Sequence, residues 1–310
     1  MRRRNNIRPS LYYASFAELI RSVKFILDKG ADVNAQGGSY GNALQATSTE
    51  GYDQIVQMLL AKGADVNASG EHYDNALQAA STEGHDQVVQ MLLAKEADVN
   101  AQGGPYGNAL YAASEEGHDQ VMQMLLAKEA DVNAQGGFYG NALQRASARG
   151  YDQVVQMLLA KGADVNAQGR YYDNNVLYVA SEEGHDQVMQ MLLVKGADVN
   201  AQGGYYGNAL QAASARGHDQ VVQMLLAKGA DVNAQDGHYS NALQTASARD
   251  HDQVVQMLLV KGADVNAQGG HYDNALQAAS AGGRDQIVQM LLVKEADVRR
   301  LWSNSAVMHK

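Results

Sequence analysis

The residues in this chain that could do chemistry recur too regularly to belong to one catalytic centre. Of the nine histidines, His85, His118, His185, His218 and His251 each occupy the same place in five copies of one motif. Imidazole is a metal ligand and a proton shuttle. One per copy puts neighbours about 10 Å apart if the copies pack as helices do, too far for a shared ligand set, so hydrogen bonding within a turn is their expected role. His72, His238 and His271 stand elsewhere in the motif, and only His238 and His271 are in adjacent copies. Two histidines fall short of the three or four protein ligands that zinc normally takes. Gln102-Gly103-Gly104 and its copies have the glycines of a phosphate loop without its trailing lysine, and they read as turns. Glu115-Glu116 and Glu182-Glu183 are adjacent helix positions, which do not face one another as an acid–base pair would. Met58, Met91, Met124, Met157, Met191, Met224, Met257 and Met290 form a column that reads as core, where truncation to alanine would cost ~2–5 kcal/mol. No catalytic residue, metal ligand set or cofactor is assigned, and the chain reads as a non-enzyme.

Composition narrows the class further. The chain has 310 residues, 45% of them hydrophobic, a net charge of −10 and no cysteine. The negative charge argues against nucleic acid as the main ligand, because phosphate contacts need clustered Lys and Arg. Disulfides and cysteine nucleophiles are excluded outright. No stretch approaches the ~20 apolar residues that span a bilayer, and no signal-peptide run follows Met1-Arg2-Arg3-Arg4. A cytoplasmic protein is expected, nuclear if the arginines act as a signal.

The elements that position these residues come from a repeat. Ala-Asp-Val recurs nine times, from Ala31 to Ala296, at seven spacings of 33 residues and one of 34. A fixed period of that size means stacked small modules, each burying its apolar face against its neighbours. In residues 31–63, Ile55, Val56, Met58, Leu59 and Leu60 cluster at helical spacing. Asp53 precedes them at the positive end of a helix, and Lys62-Gly63 end it. Asn42 is a candidate N-cap for a shorter helix of small residues from Ala43, and Gly51 stops it. Val33 to Gly41 reads as a hairpin or turn. Both helices are below the ~12–15 residues that hold alone in water, so stacking must stabilise them.

With this period, the GADVNA string, the Gly-His turn (Gly84-His85, Gly117-His118, Gly184-His185, Gly217-His218) and the VVQMLL helix, the chain resembles an ankyrin-repeat protein from about Leu11 to Val298. The resemblance implies an all-α ankyrin-repeat solenoid, a hairpin plus an antiparallel helix pair per repeat. Its divisions would be an incomplete repeat at 1–30, eight repeats at 31–63, 64–96, 97–129, 130–162, 163–196, 197–229, 230–262 and 263–295, and a truncated repeat or tail at 296–310. The wording NALQAAS…GHDQVVQMLLAKGADVNAQGG is similar to arrays in filamentous fungi that follow NLR-like nucleotide-binding modules. The family's Thr-Pro-Leu-His opening is here Asn-Ala-Leu-Gln, as at Asn75 to Gln78, so its hydrogen bonds must be re-made. Its hairpin-tip glycine falls on Tyr40, Tyr73, Tyr106, Tyr139, Tyr172, Tyr206, Tyr239 and Tyr272, so the preceding Gly-Gly must shift the turn. Asp250 replaces the glycine between helices, and Glu96, Glu129 and Glu295 replace the glycine after the second helix. The repeat from Ala163 carries one extra residue near Asn174-Asn175. Asn34 and its equivalents sit where the family is hydroxylated.

Positions that differ between copies are candidates for recognition. Before the recurrent Tyr stand Ser39, His72, Pro105, Phe138, Tyr171, Tyr205, His238 and His271, and the first helix ends at Glu50, Glu83, Glu116, Arg149, Glu183, Arg216 and Arg249. The family resemblance puts hairpin tips and first-helix residues on the face that grips partners. We assign Ser39, His72, Phe138, Tyr171, Tyr205, His238, His271 and those helix-end charges to a candidate protein-binding face. Tyrosine suits such a face because it offers amphipathic area at low entropy cost. The charge along this face changes from acidic (Glu50 to Glu116) to alternating and then basic (Arg149, Arg216 and Arg249). The recurrent Tyr column is expected instead to pack on the next hairpin.

The leading expectation is a non-catalytic interaction scaffold that binds other proteins, and no nucleic acid, membrane or small molecule, with the recognition arm of an NLR-like protein as the role the resemblance implies. The alternatives are an arm of a nucleotide-hydrolysing signalling enzyme and a structural spacer. Leu11, Phe16, Ile20 and Phe25 are expected to face an exposed end. Leu301-Trp302 follows an unfinished hairpin, so the chain reads as a fragment unless Trp302 folds back over the last helices.

Overall fold

The computed structural model describes residues 10–70, 74–137, 140–169, 174–235, 237 and 240–296. The basic terminus, Trp302, and the expected contact residues His72, Phe138, Tyr171 and His238 lie outside them. The fold is all-α. Short helices at odd positions in the chain alternate with nine-residue helices at even positions. The first set is α1 (Ser10–Phe16), α3 (Ala43–Glu50), α5 (Ala76–Glu83), α7 (Ala109–Glu116), α9 (Ala142–Arg149), α11 (Val176–Glu183), α13 (Ala209–Arg216), α15 (Ala242–Ala248) and α17 (Ala275–Ala281). The second set is α2 (Ile20–Asp28), α4 (Asp53–Ala61), α6 (Asp86–Ala94), α8 (Asp119–Ala127), α10 (Asp152–Ala160), α12 (Asp186–Val194), α14 (Asp219–Ala227), α16 (Asp252–Val260) and α18 (Asp285–Val293).

Contacts divide the chain into two compact bodies, Met1–Ala146 with Gln153–Ala163, and Ser147–Asp152 with Asp164–Lys310. In the first body, α1, α3, α5 and α7 stack in order and α2, α4, α6 and α8 form a second layer beside them. In the second, α11, α13, α15 and α17 stack, with α12, α14, α16 and α18 as the second layer.

Local chemistry accounts for each element. Asn42 Oδ1 accepts the Gln45 N–H at 2.9 Å while Gln45 Oε1 accepts the Asn42 N–H at 3.0 Å. This reciprocal pair satisfies N–H groups that the first turn leaves orphaned. Gly51 ends α3 with φ +73°, a left-handed cap that lacks a Cβ penalty only in glycine. Small residues let the first helices pack on both sides: every residue from Ala43 to Thr49 is buried. The second helices bury one stripe, as at Ile55, Val56, Leu59 and Leu60. Between repeats, Asn67 Oδ1 accepts the Asp98 N–H at 2.8 Å and Asn100 Oδ1 the Asp131 N–H at 2.7 Å. These asparagines thus tie each hairpin base to the next.

Two expectations are corrected. The methionine column is only half-buried, at the rim of the second-helix stripe; helical spacing placed it beside the apolar residues but could not separate rim from interior. Met157→Ala is therefore expected to cost about 1–2 kcal/mol, against about 2–5 for Leu158→Ala at a fully enclosed site. Urea unfolding of the two variants checks the difference. At the N-terminal end, Phe16, Ile20 and Phe25 are exposed but Leu11 is 3% exposed, because α1 packs against α3.

Regular hairpin pairing is sparse among the described residues. One two-stranded ladder joins β1 (Gln135–Gly136) to β2 (Gly140–Asn141), and isolated bridges join Gly103 to Gly107, Gln168 to Asn175 and Gln202 to Asn208. The extra residue of the repeat from Ala163 is absorbed in its hairpin. The Gly169 N–H reaches Asn174 O, a loop one residue longer than that closed by Gly203 N–H on Gly207 O.

Candidate partner-binding face

Hairpins are placed by the first helix of the preceding repeat. In the first body, Gln45 Nε2 donates to Ala68 O at 3.0 Å and Asp74 O at 2.9 Å. In the second body, Gln211 Nε2 donates to Ala234 O at 3.2 Å and Ser240 O at 2.9 Å. The glutamine of Asn-Ala-Leu-Gln thus does two jobs, one in its own helix cap and one on the next hairpin. A tyrosine takes this place at Tyr12, Tyr111 and Tyr178. Tyr178 Oη accepts the Tyr206 N–H at 3.3 Å, and Tyr12 Oη accepts the Tyr40 N–H at 3.4 Å. Each ring lies where a Cβ would be on the next hairpin's glycine: Tyr12 at Gly38, Tyr111 at Gly137 and Tyr178 at Gly204. Glycine is required there for space as well as for its positive φ. The recurrent tyrosine is flanked by left-handed residues on both sides, such as Gly38 and Gly41 or Gly104 and Gly107. The turn is shifted from the tyrosine onto its neighbours.

That shift lays the tyrosines against the first-helix ends. Tyr40, Tyr106 and Tyr272 are half-buried and Tyr206 is 6% exposed. The Tyr40 ring packs 5.9 Å from Phe16. Burial pushes its hydroxyl pKa up, and the Glu50, Tyr12 and Glu83 charges add to the rise. Burial likewise raises Tyr106, followed by Glu115, Glu116 and Glu83. In the first body Tyr40, Tyr106 and the glutamates therefore share one negative field, with both phenols held neutral. Glu50, Glu83 and Glu116 are exposed beside this row, and Ser39 is exposed at the hairpin that meets Tyr12 and Phe16.

The second body differs. Tyr205 is 53% exposed, edge-on to Tyr206 at 5.0 Å, and His271 is exposed, edge-on to Tyr272 at 4.8 Å. Glu183 and Arg149 are exposed. The basic end expected from composition is corrected here. Arg216 Nη2 donates to Glu182 Oε1 at 2.9 Å, and that bond is the main cause of its raised pKa. Arg249 Nη2 donates to Tyr206 Oη at 3.1 Å with its guanidinium 5.5 Å from the ring centroid. Both cations are engaged within the chain, so part of the positive charge expected at this end is cancelled locally, while Arg149 stays exposed. Charge counts along a sequence do not reveal such pairing across a repeat.

The turn histidines are held in place. His85 Nε2 bonds Thr49 O at 2.9 Å, His118 bonds Thr82 O at 2.9 Å, and His218 bonds Glu182 O at 3.0 Å. Each ring also rests on the glycine of the preceding turn.

Arg145 was missed from the sequence. It is 6% exposed at a position held by Ala46, Ala79, Ala112, Ala212 and Ala278 in other copies. Its Nη2 reaches Glu115 Oε1 at 2.6 Å. A charged residue in an otherwise small-residue column was the available signal.

A family model described as ankyrin repeats in three copies matches residues 11–103, 43–136, 103–169, 143–236 and 209–301. No curated protein matches the chain.

Proposed function

This chain belongs to the ankyrin-repeat family, and we propose that it is a non-catalytic scaffold that grips a protein partner with its hairpins and first-helix ends. Ankyrin repeats are protein–protein interaction modules, which supplies the general role. The finer reading rests on one observation: in the first body, half-buried tyrosines and exposed Glu50, Glu83 and Glu116 form one acidic, aromatic strip. An extended segment bearing Lys or Arg fits it. Guanidinium and ammonium groups are attracted both to carboxylates and to the faces of tyrosine rings. Complementary charge of this kind governs partner choice and encounter rate more than affinity. Ser39 borders the strip, and Tyr205 and His271 extend the recognition surface in the second body. We place the protein among NLR-like recognition arms on the wording of its repeats, and in the cytoplasm or nucleus.

The test uses the whole chain and a set of extended peptides that differ only in Lys/Arg against Glu content. Calorimetry is expected to find binding only for the cationic peptides. The triple variant Glu50→Lys, Glu83→Lys, Glu116→Lys should weaken it at least tenfold with unchanged circular dichroism, since mutating charge at a rim alters recognition and not folding. Equal binding of acidic and basic peptides, or an unaffected triple variant, would remove the reading.

A further inference from the structure

The opposite side of the repeats carries a second pattern. In the second body, α12, α14, α16 and α18 lie side by side. Each begins with an aspartate (Asp186, Asp219, Asp252, Asp285) and is followed by an exposed lysine (Lys195, Lys228, Lys261, Lys294). Between these ends every helix presents two exposed glutamines, as at Gln253 and Gln256. The surface is therefore a neutral floor between an acidic rail and a basic rail, about 14 Å apart for helices of this length. Shallow grooves cross it. One is lined by Gln223, Leu226, Met257 and Val260, and the next by Leu259, Val260, Met290 and Val293.

The apolar content of this face exceeds what the fold uses. The last residue of the second helix is alanine at Ala61, Ala94, Ala127, Ala160 and Ala227, but valine at Val194, Val260 and Val293. Those valines are 72%, 73% and 80% exposed. Branched side chains lower helix propensity, and here they bury nothing within the chain.

The occupant follows from charge and spacing. A partner must offer basic, neutral and acidic rows at the same distance and the same pitch from repeat to repeat. A second copy of this face does so. Of the two twofold arrangements that bring the faces together, one sets aspartates over aspartates and lysines over lysines. The other keeps the repeats running in the same direction, turns the helices antiparallel, and sets each acidic rail over a basic one. We propose that this face is a self-association surface, on which a second copy of the chain docks in the latter arrangement and closes the Met–Val grooves. Four helices of this length at about 10 Å spacing bury roughly 1,100 Å² in total, near the lower bound for specific association. An interface of this area is expected to give a weak, reversible dimer.

Sedimentation equilibrium of the full chain over about 1–200 µM reads the mass directly. Val260→Glu with Val293→Glu should weaken association at least tenfold, and the exposure of both residues spares the fold. Charge exchange supplies a second arm. A chain with Lys195→Glu, Lys228→Glu and Lys294→Glu repels itself. So does a chain with Asp186→Lys, Asp219→Lys and Asp285→Lys. Mixed, the two should form a heterodimer at concentrations where each alone is monomeric. A wild-type chain that stays monomeric throughout would overturn the proposal. A dimer indifferent to the glutamates, or charge-exchanged chains that do not pair, would do the same. The glutamate-strip variant at Glu50, Glu83 and Glu116 should leave the mass unchanged, which separates this result from the partner-binding reading.

Discussion

Glu115→Ala is expected to destabilise the first body by about 3–5 kcal/mol, while Arg145→Ala, its partner's truncation, costs about 1 kcal/mol or less. The asymmetry comes from burial. The Arg145 side chain is 8% exposed and that of Glu115 19%. Removing the carboxylate takes one close charge partner from a guanidinium that water barely reaches. Removing the arginine leaves a carboxylate closer to solvent, and puts at position 145 the alanine that other copies hold at Ala46, Ala79 and Ala112. Alanine is equally ordinary at position 115, since Ala215 and Ala248 occupy it in other repeats. The loss in Glu115→Ala is therefore a cost of the weakened pairing of a buried arginine and not of helix propensity. The double variant should lie near Arg145→Ala alone. Urea unfolding combined with amide exchange in α7 and α9 is the suitable measurement, because repeat arrays need not unfold in one step. Equal costs for the two single variants would contradict this account.

Gly84→Asp is the second large effect, about 2–4 kcal/mol. Gly84 has φ +73°, and a Cβ there would stand 2.5 Å from His118 Cε1. An aspartate must adopt left-handed backbone, which costs about 1–3 kcal/mol. It must also displace an imidazole whose Nε2 holds Thr82 O, a bond with a net worth of about 1 kcal/mol. The chain contains its own compensated version. Asp250 occupies the equivalent place with φ +68°, and the following repeat carries Arg284 where most have histidine. Arg284 Nη1 meets Asp250 Oδ2 at 3.1 Å. Adding His118→Arg to Gly84→Asp should therefore recover about 1 kcal/mol, the upper end for an ion pair as exposed as this one. The double-mutant cycle reads this coupling, and costs that add within about 0.5 kcal/mol would refute it.

Both predictions concern contacts between one repeat and the next, and these mark the limit of what could be read from residue order. Within a repeat, little was hidden. Asn42 caps α3, Gly51 ends it, and Asp53 opens α4, because capping and left-handed geometry act over three or four neighbouring residues. The turn histidines were expected to serve hydrogen bonds and they do. The glutamine of Asn-Ala-Leu-Gln was harder. Its replacement of histidine raised the question of where the bonds go, but the acceptors Ala68 O and Asp74 O belong to the next hairpin. No local rule pairs residues that far apart. The Met column failed for a related reason: 3.6-residue spacing assigns a side of the helix, while the depth of burial depends on where the neighbouring helix sits.

For the binding face, the order of residues distinguished constant positions from variable ones, and it placed Glu50, Glu83 and Glu116 at helix ends. It could not weigh their charge against Arg216 and Arg249. Those arginines are engaged by Glu182 and Tyr206 across stacked repeats. What the sequence by itself determined was the module and its period, since helix caps, turns and apolar stripes are local matters of backbone geometry and side-chain size. What only the tertiary structure decided was which charges are drawn into contacts across repeats, as Arg216 and Arg249 are. Charges are cancelled through space, at distances set by how the modules pack.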